Sequence, residues 1–176
     1  MDVCETKLKG VMIITPDVFE DSRGFFKESF NKKRYNEIGI KENFVQDNQS
    51  YSYKDVLRGL HYQKQRPQGK LVSCNFGEVF DVAADINPNS PTFGNYVGVI
   101  LSASNHKQLW IPPGYAHGFC VLSEQANFIY KCTELYNSND DYGVVWNDDI
   151  LNIDWPISSP LLSQKDTMLP RLNKIL

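Results

Sequence analysis

Ten short runs of aliphatic, β-branched and aromatic residues, each closed off by turn-forming residues, leave this chain few folds to choose from. They are "GVMIITP", "GFFKESF", "VLRGLHYQ", "KLVSCNF", "EVFDVAADI", "YVGVILSA", "HKQLWIP", "AHGFCVLS", "ANFIYKCTELY" and "YGVVWND". Asp-Ser-Arg-Gly, Gln-Gly, Asn-Pro-Asn-Ser-Pro, Pro-Pro-Gly and Asn-Ser-Asn-Asp-Asp stand between them, and such sequences favour chain reversal. "NKKRYNEIG" reads as a helix that ends at Gly39 as a C-capped helix ends, and a second short helix is expected near the C-terminus. Many short strands with almost no helix protect their edges by curling two sheets around one cavity, so an all-β antiparallel jelly roll is expected, with short peripheral helices. A chain of 176 residues builds a core without disulfide or metal staples, and no repeat or low-complexity linker divides it. Residues 1–176 are therefore expected to form one domain.

Charge narrows the partners. The net charge is −3 with both signs interspersed and no Lys/Arg tract, so neither a nucleic-acid groove nor a membrane surface is expected. Cys4, Cys74, Cys120 and Cys132 show no paired spacing, and are expected to be buried, reduced thiols of a cytoplasmic protein. The N-terminal stretch opens with acidic residues and lacks a sustained apolar run flanked by positive charge, unlike a signal peptide or a membrane span.

The chemistry lies in polar residues set into the strands. In "VLRGLHYQ", Arg58 and His61 have opposite parity in an unbroken strand, so they share a cavity only if the strand is bulged at Gly59, where a bulge is sterically easy. The bland alternative for His61 is a hydrogen-bonded core histidine. In "EVFDVAADI", Asp81 and Asp85 share a face with Val79 and Ala83, which from pattern alone reads as a solvated outer face; the sharper alternative is the lining of a polar cavity. Tyr130 alternates in step with Phe128 and Cys132 and reads equally as an ordinary core aromatic. His61, His106 and His117 form no pair at metal-binding spacing, so no metal is expected. No Gly-x-Ser-x-Gly elbow or phosphate-cradling glycine loop occurs, so any bound phosphate must be met by side chains.

Over nearly its whole length the chain resembles the dTDP-4-dehydrorhamnose 3,5-epimerase family, on "DSRGFFKESF", "FVQDNQS", "VLRGLHYQ", "QGKLV", "GEVFDVAADI", "SPTFG", "QLWIPPGYAHGF", "FIYKCTELY", "WND" and "SQKD", in that order. The resemblance implies a cupin-type jelly roll, a homodimer, no metal or organic cofactor, and action on a thymidine-diphospho-4-keto-6-deoxyhexose in dTDP-rhamnose synthesis for surface polysaccharide. It further implies His61 as base, Tyr130 as acid, Asp166 as the group orienting the histidine, and Lys70 at the keto oxygen. Arg23, Glu28, Gln46, Asp47, Asn48, Arg58, His117, Asp141 and Lys165 match positions that contact substrate in that family.

Those residue types suit the chemistry on their own terms. A ketone at sugar carbon 4 acidifies the protons on carbons 3 and 5, so inversion needs a base on one face, an acid on the other and a stabilised enolate between. A neutral imidazole accepts a proton, a carboxylate on its other nitrogen fixes the tautomer, and a phenol is a protonated donor at neutral pH. A lysine ammonium stabilises the enolate oxygen, and arginine forks suit a diphosphate. Two alternatives stay open at this point: an epimerase inverting carbon 3 or carbon 5 alone on a related nucleotide sugar, and a non-catalytic cupin that binds a sugar nucleotide.

Overall fold

The computed structural model describes residues 1–175. Its strands are β1 (Asp2–Glu5), β2 (Met12–Thr15), β3 (Val18–Asp21), β4 (Gly24–Lys27), β5 (Gln46–Tyr53), β6 (Leu57–Gln63), β7 (Lys70–Phe76), β8 (Glu78–Ala84), β9 (Tyr96–Ser102), β10 (Gln108–Ile111), β11 (Ala116–Val121), β12 (Gln125–Cys132) and β13 (Asp141–Gly143). They build a six-stranded sheet ordered β1-β2-β10-β7-β12-β5, a five-stranded sheet ordered β13-β6-β11-β8-β9, and a separate β3–β4 hairpin. Two antiparallel sheets laid face to face form the expected jelly roll, with α1 (Lys32–Glu37) and α2 (Gln164–Thr167) at its periphery.

Each of the ten apolar runs contributes a strand. The sequence pattern missed β1, β3 and β5. β5, "QDNQSYSY", has almost no aliphatic residue; it is the outer strand of its sheet, held by its full length to β12 through backbone pairing.

The core between the sheets holds Val72 and Cys74 of β7, Val79 and Ala83 of β8, Phe119 of β11 and Phe128 of β12; the two phenylalanine rings stack at 4.2 Å. Burying each phenylalanine contributes about 1.5–3 kcal/mol. The back of the five-stranded sheet is covered as well: Leu57, Leu60, Val82 and Cys120 pack against Val144, Leu151, Trp155 and Leu172 of the C-terminal segment. With both faces covered, β8 has no solvated side, which overturns the outer-face expectation for Asp81 and Asp85; they are 0% and 2% exposed. Asp85 accepts hydrogen bonds from Ser90 and Thr92 and ties down the following turn.

The helix forms as its caps require. The Asn31 side chain accepts from the backbone N–H groups of Lys33 and Arg34, and Gly39 takes φ +100° just past the last turn. Its one buried side chain, Tyr35, packs with Met12, Leu71 and Trp110 on the outer face of the six-stranded sheet. Cys74, Cys120 and Cys132 are buried, but Cys4 is exposed on β1, so the expectation of buried thiols fails there. No described helix is long and apolar enough to cross a membrane.

Candidate active site

The bulge anticipated at Gly59 is present. Between β6 and β11, His61 pairs with His117 and Arg58 with Phe119, so β6 carries one residue more than its partner. Gly59 has φ +109°, and an added Cβ would lie 2.6 Å from the His117 carbonyl oxygen and 2.7 Å from Gly118 Cα. The position therefore admits only glycine. The extra residue resets the parity of the strand, and Arg58 and His61 line one cavity.

That cavity has two adjoining lobes. One, of ≈ 250 Å³, is lined by Ser50, Arg58, His117, Lys165 and Asp166, and the other, of ≈ 200 Å³, by Gln46, Asn48, Gln63, Tyr136 and Asp141. His61, Lys70 and Tyr130 line both and so stand at the junction. His61 projects from the five-stranded sheet, whereas Lys70 and Tyr130 project from the six-stranded one.

His61 Nε2 lies 2.6 Å from Asp166 Oδ1. Ser163 caps α2 by accepting from the Asp166 N–H, which orients the carboxylate toward β6. Burial pushes the Asp166 carboxyl upward, but hydrogen bonds from His61, Ser163 and the Gly59 N–H outweigh it and hold it below the ordinary carboxylate value. The carboxylate stays an acceptor at neutral pH, so His61 donates from Nε2 and keeps Nδ1 as its basic nitrogen.

Burial lowers the pKa of Lys70, opposed by Cys132, Asp81 and Asp141. Its Nζ sits 6.0 Å from the centre of the Tyr130 ring. Burial raises the Tyr130 phenol, which keeps it protonated as a donor. Arg58 is held by a hydrogen bond from Nε to Ser52 Oγ, 3.1 Å, leaving the rest of its guanidinium fork free. Asp141 Oδ2 receives Lys165 Nζ and the Tyr136 hydroxyl, and these lower its pKa against the effect of burial. The adjacent Asp140 serves the fold instead, since its carboxylate accepts the backbone N–H groups of Lys64, Gln65 and Arg66 and pins that loop.

Of the thirteen residues singled out in the sequence, the fold gathers ten around this cavity: His61, Lys70, Tyr130, Asp166, Gln46, Asn48, Arg58, His117, Asp141 and Lys165. Asp47 is on the opposite face of β5, 71% exposed and paired with Lys131, where it borders a second cavity of ≈ 400 Å³ on the outer side of the sheet, which Asn48 and Tyr130 also touch. Strand alternation alone separates it from Gln46 and Asn48. Arg23 and Glu28 are also elsewhere: Arg23 bonds Asp21 at the tip of the β3–β4 hairpin, and Glu28 pairs with Arg34. Asp81 was passed over although its Oδ1 lies 2.7 Å from His117 Nε2. The apolar residues on both faces of β8 were the available sign that it is buried. Among the described residues, no group of three or more His, Cys, Asp or Glu is placed to hold a metal ion.

The fold and site together define a cupin-type jelly roll with a cavity between its sheets at which His61, Lys70 and Tyr130 meet. A family model described as dTDP-4-dehydrorhamnose 3,5-epimerase matches residues 5–174, and the chain belongs to that family of isomerases. A dTDP-4-dehydrorhamnose 3,5-epimerase from Shigella flexneri is 57% identical over 168 residues, 94% of this chain and 93% of its own length. A crystal structure of a dTDP-6-deoxy-D-glucose-3,5-epimerase from Legionella pneumophila, in complex with dTDP-4-keto-L-rhamnose, superposes with a TM-score of 0.97 at 53% identity, covering 99% of this chain and 94% of that one. A dTDP-4-dehydrorhamnose 3-epimerase from Streptomyces niveus is 37% identical over 161 residues, 90% of this chain and 78% of its own.

Proposed function

We propose that this enzyme inverts carbons 3 and 5 of dTDP-4-dehydro-6-deoxy-D-glucose to give dTDP-4-dehydro-L-rhamnose, in dTDP-rhamnose synthesis. The observation that carries the chemistry is the meeting of His61, Lys70 and Tyr130 at one junction, with the histidine and the tyrosine rooted in facing sheets. His61 Nδ1 takes the proton from the carbon beside the ketone. The C–H electron pair becomes the enolate, whose oxygen the Lys70 ammonium stabilises. Tyr130 then gives its phenolic proton to the opposite face of the same carbon, and exchange with solvent returns the imidazolium and the phenolate to their starting states. Asp166 holds the imidazole and stabilises its cation, while Arg58 and Lys165 supply positive charge for the diphosphate.

The higher identity to relatives named as 3,5-epimerases than to the 3-epimerase favours inversion at both centres. A non-catalytic binding cupin has no use for a carboxylate-oriented base facing an acid. In deuterated water the wild-type enzyme should place deuterium at both inverted carbons, followed by mass spectrometry and NMR coupling constants, and folded His61→Asn should place none. Wild-type wash-in by that variant would assign the base elsewhere.

The reading extends to assembly. Phe19, Phe25 and Phe26 of the β3–β4 hairpin are 63%, 57% and 69% exposed, an apolar surface suited to a second copy of this chain. In a homodimer this hairpin is the element available to carry Arg23 and Glu28 toward the partner's cavity. Light scattering should report two chains per particle, and a Phe26→Asp variant should weaken the association. A cytoplasmic setting accords with the four unpaired thiols.

A further inference from the structure

Asp81 is fully buried on β8, and only one of its oxygens is used. Oδ1 accepts from His117 Nε2, while Oδ2 is buried without a hydrogen-bond partner. Burial lowers the pKa of His117 despite the attraction of Asp81, so at neutral pH the ring is uncharged and does not neutralise the carboxylate. A buried charge with no opposite charge near it is costly, so a cation has to be found for it.

Lys70 is the complementary case, an ammonium in the same interior with no ion-pair or hydrogen-bond partner among the described residues. Lys70 and His117 line the same lobe, and Asp81 stands behind His117, 2.7 Å from its Nε2 and out of direct contact with Lys70. The other groups around Lys70 are Cys132, its register partner on β12, with Tyr130 from the same strand, His61 from β6 and Asp141 from β13. Burial keeps the Cys132 thiol and the Tyr130 phenol protonated, and Asp141 is already paired with Lys165. The carboxylate of Asp166 is likewise committed to His61, and the nearby Arg58 brings no negative charge. Asp81 is the remaining anion.

We infer that Asp81 is the buried counter-ion that keeps the Lys70 ammonium charged inside the cavity. It is a positioning residue that acts on the keto oxygen through Lys70 without touching substrate. The inference rests on the enolate-stabilising role proposed for Lys70. Removing the Asp81 charge lowers the pH at which Lys70 loses its proton, so activity that requires the ammonium is lost at lower pH.

The test is NMR titration of the Lys70 side chain, with nitrogen-15 at Nζ, in wild type, Asp81→Asn and Asp81→Glu, together with pH profiles of kcat. In Asp81→Asn the Lys70 titration should move down by on the order of one pH unit. The alkaline limb of kcat should move with it, and Asp81→Glu should recover both. An unmoved Lys70 titration in folded Asp81→Asn overturns the inference. A moved titration with an unmoved alkaline limb supports the counter-ion and instead overturns the role given to Lys70. Wild type alone supplies a second measurement if Asp81→Asn does not fold: Lys70 must be an ammonium at neutral pH, and a neutral amine there overturns the inference.

Discussion

His61 and Asp166 are 105 residues apart in the chain and meet at 2.6 Å, Nε2 to Oδ1. One partner comes from the bulged strand β6, the other from the first turn of α2, so the pair joins the five-stranded sheet to the C-terminal segment. Asp166→Asn can present an amide N–H to His61 Nε2 and favour the tautomer protonated at Nδ1, where the base is needed. Deuterium wash-in should fall by about 10²-fold or more, with the substrate's KM changed far less. A small loss in a folded variant would remove Asp166 from the proton-transfer apparatus.

The same contact carries a pH signature in stability. The folded Asp166 carboxyl is held below its unfolded value, so its contribution is fully present above the unfolded pKa of about 3.9 and is lost as pH falls through the folded value. The stability difference between wild type and Asp166→Asn should therefore be constant near neutral pH and shrink on acidification. Denaturant titrations at a series of pH values check this, and a difference that grows on acidification would contradict the assignment.

Tyr130→Phe separates the two faces of the reaction. The ring still packs beside Phe128, and Lys70 still stabilises the enolate, so proton removal continues while delivery fails. His61 then returns deuterium to the original face, and exchange outruns inversion. Mass spectrometry gives exchange and NMR gives configuration; inversion at the wild-type rate would exclude Tyr130 as the acid.

Gly59→Ala tests the bulge. A methyl group 2.6 Å from the His117 carbonyl oxygen, at φ +109°, forces β6 away from β11 and should cost about 1–3 kcal/mol of stability. Activity should fall beyond what unfolding explains, because Arg58 and His61 no longer share one cavity. Chemical denaturation and wash-in on the folded fraction give the two quantities, and wild-type values for both would mean that the bulge does not position them.

Exhaustive dialysis against a chelator should leave kcat unchanged, because the proposed enolate stabilisation comes from Lys70 and no suitable ligand cluster occurs among the described residues. Loss of activity that zinc or manganese restores would replace Lys70 with a metal ion in the mechanism.

What could be read from the sequence follows from how locally each feature is determined. Strands with apolar residues were visible because burial selects those side chains, whereas β5 was invisible because a polar outer strand is held by backbone pairing with β12. The Gly59 bulge was legible, since glycine between two polar residues of opposite parity has a steric meaning. Asp81 was legible only in part: apolar residues on both faces of β8 mark a covered strand, whereas the contact with His117 depends on the pairing of β8 with β11, which one strand does not reveal. Asp47 illustrates the limit of matching by motif: "VQDN" is contiguous, but a strand sends its consecutive side chains to opposite sides.

Rooting the proposed base and acid in separate sheets turns the filling between those sheets into a spacer that sets the jaw of the enzyme. Phe119 stands behind the histidine side and Phe128 behind the tyrosine side, and their stacked rings fix how far apart the two layers rest. A shorter side chain at either place lets the layers settle toward one another or tilt, altering the reach of the proton donor while every polar group keeps its identity. Which carbon of a sugar ring is served, and how completely, is therefore open to adjustment from the apolar packing between the sheets.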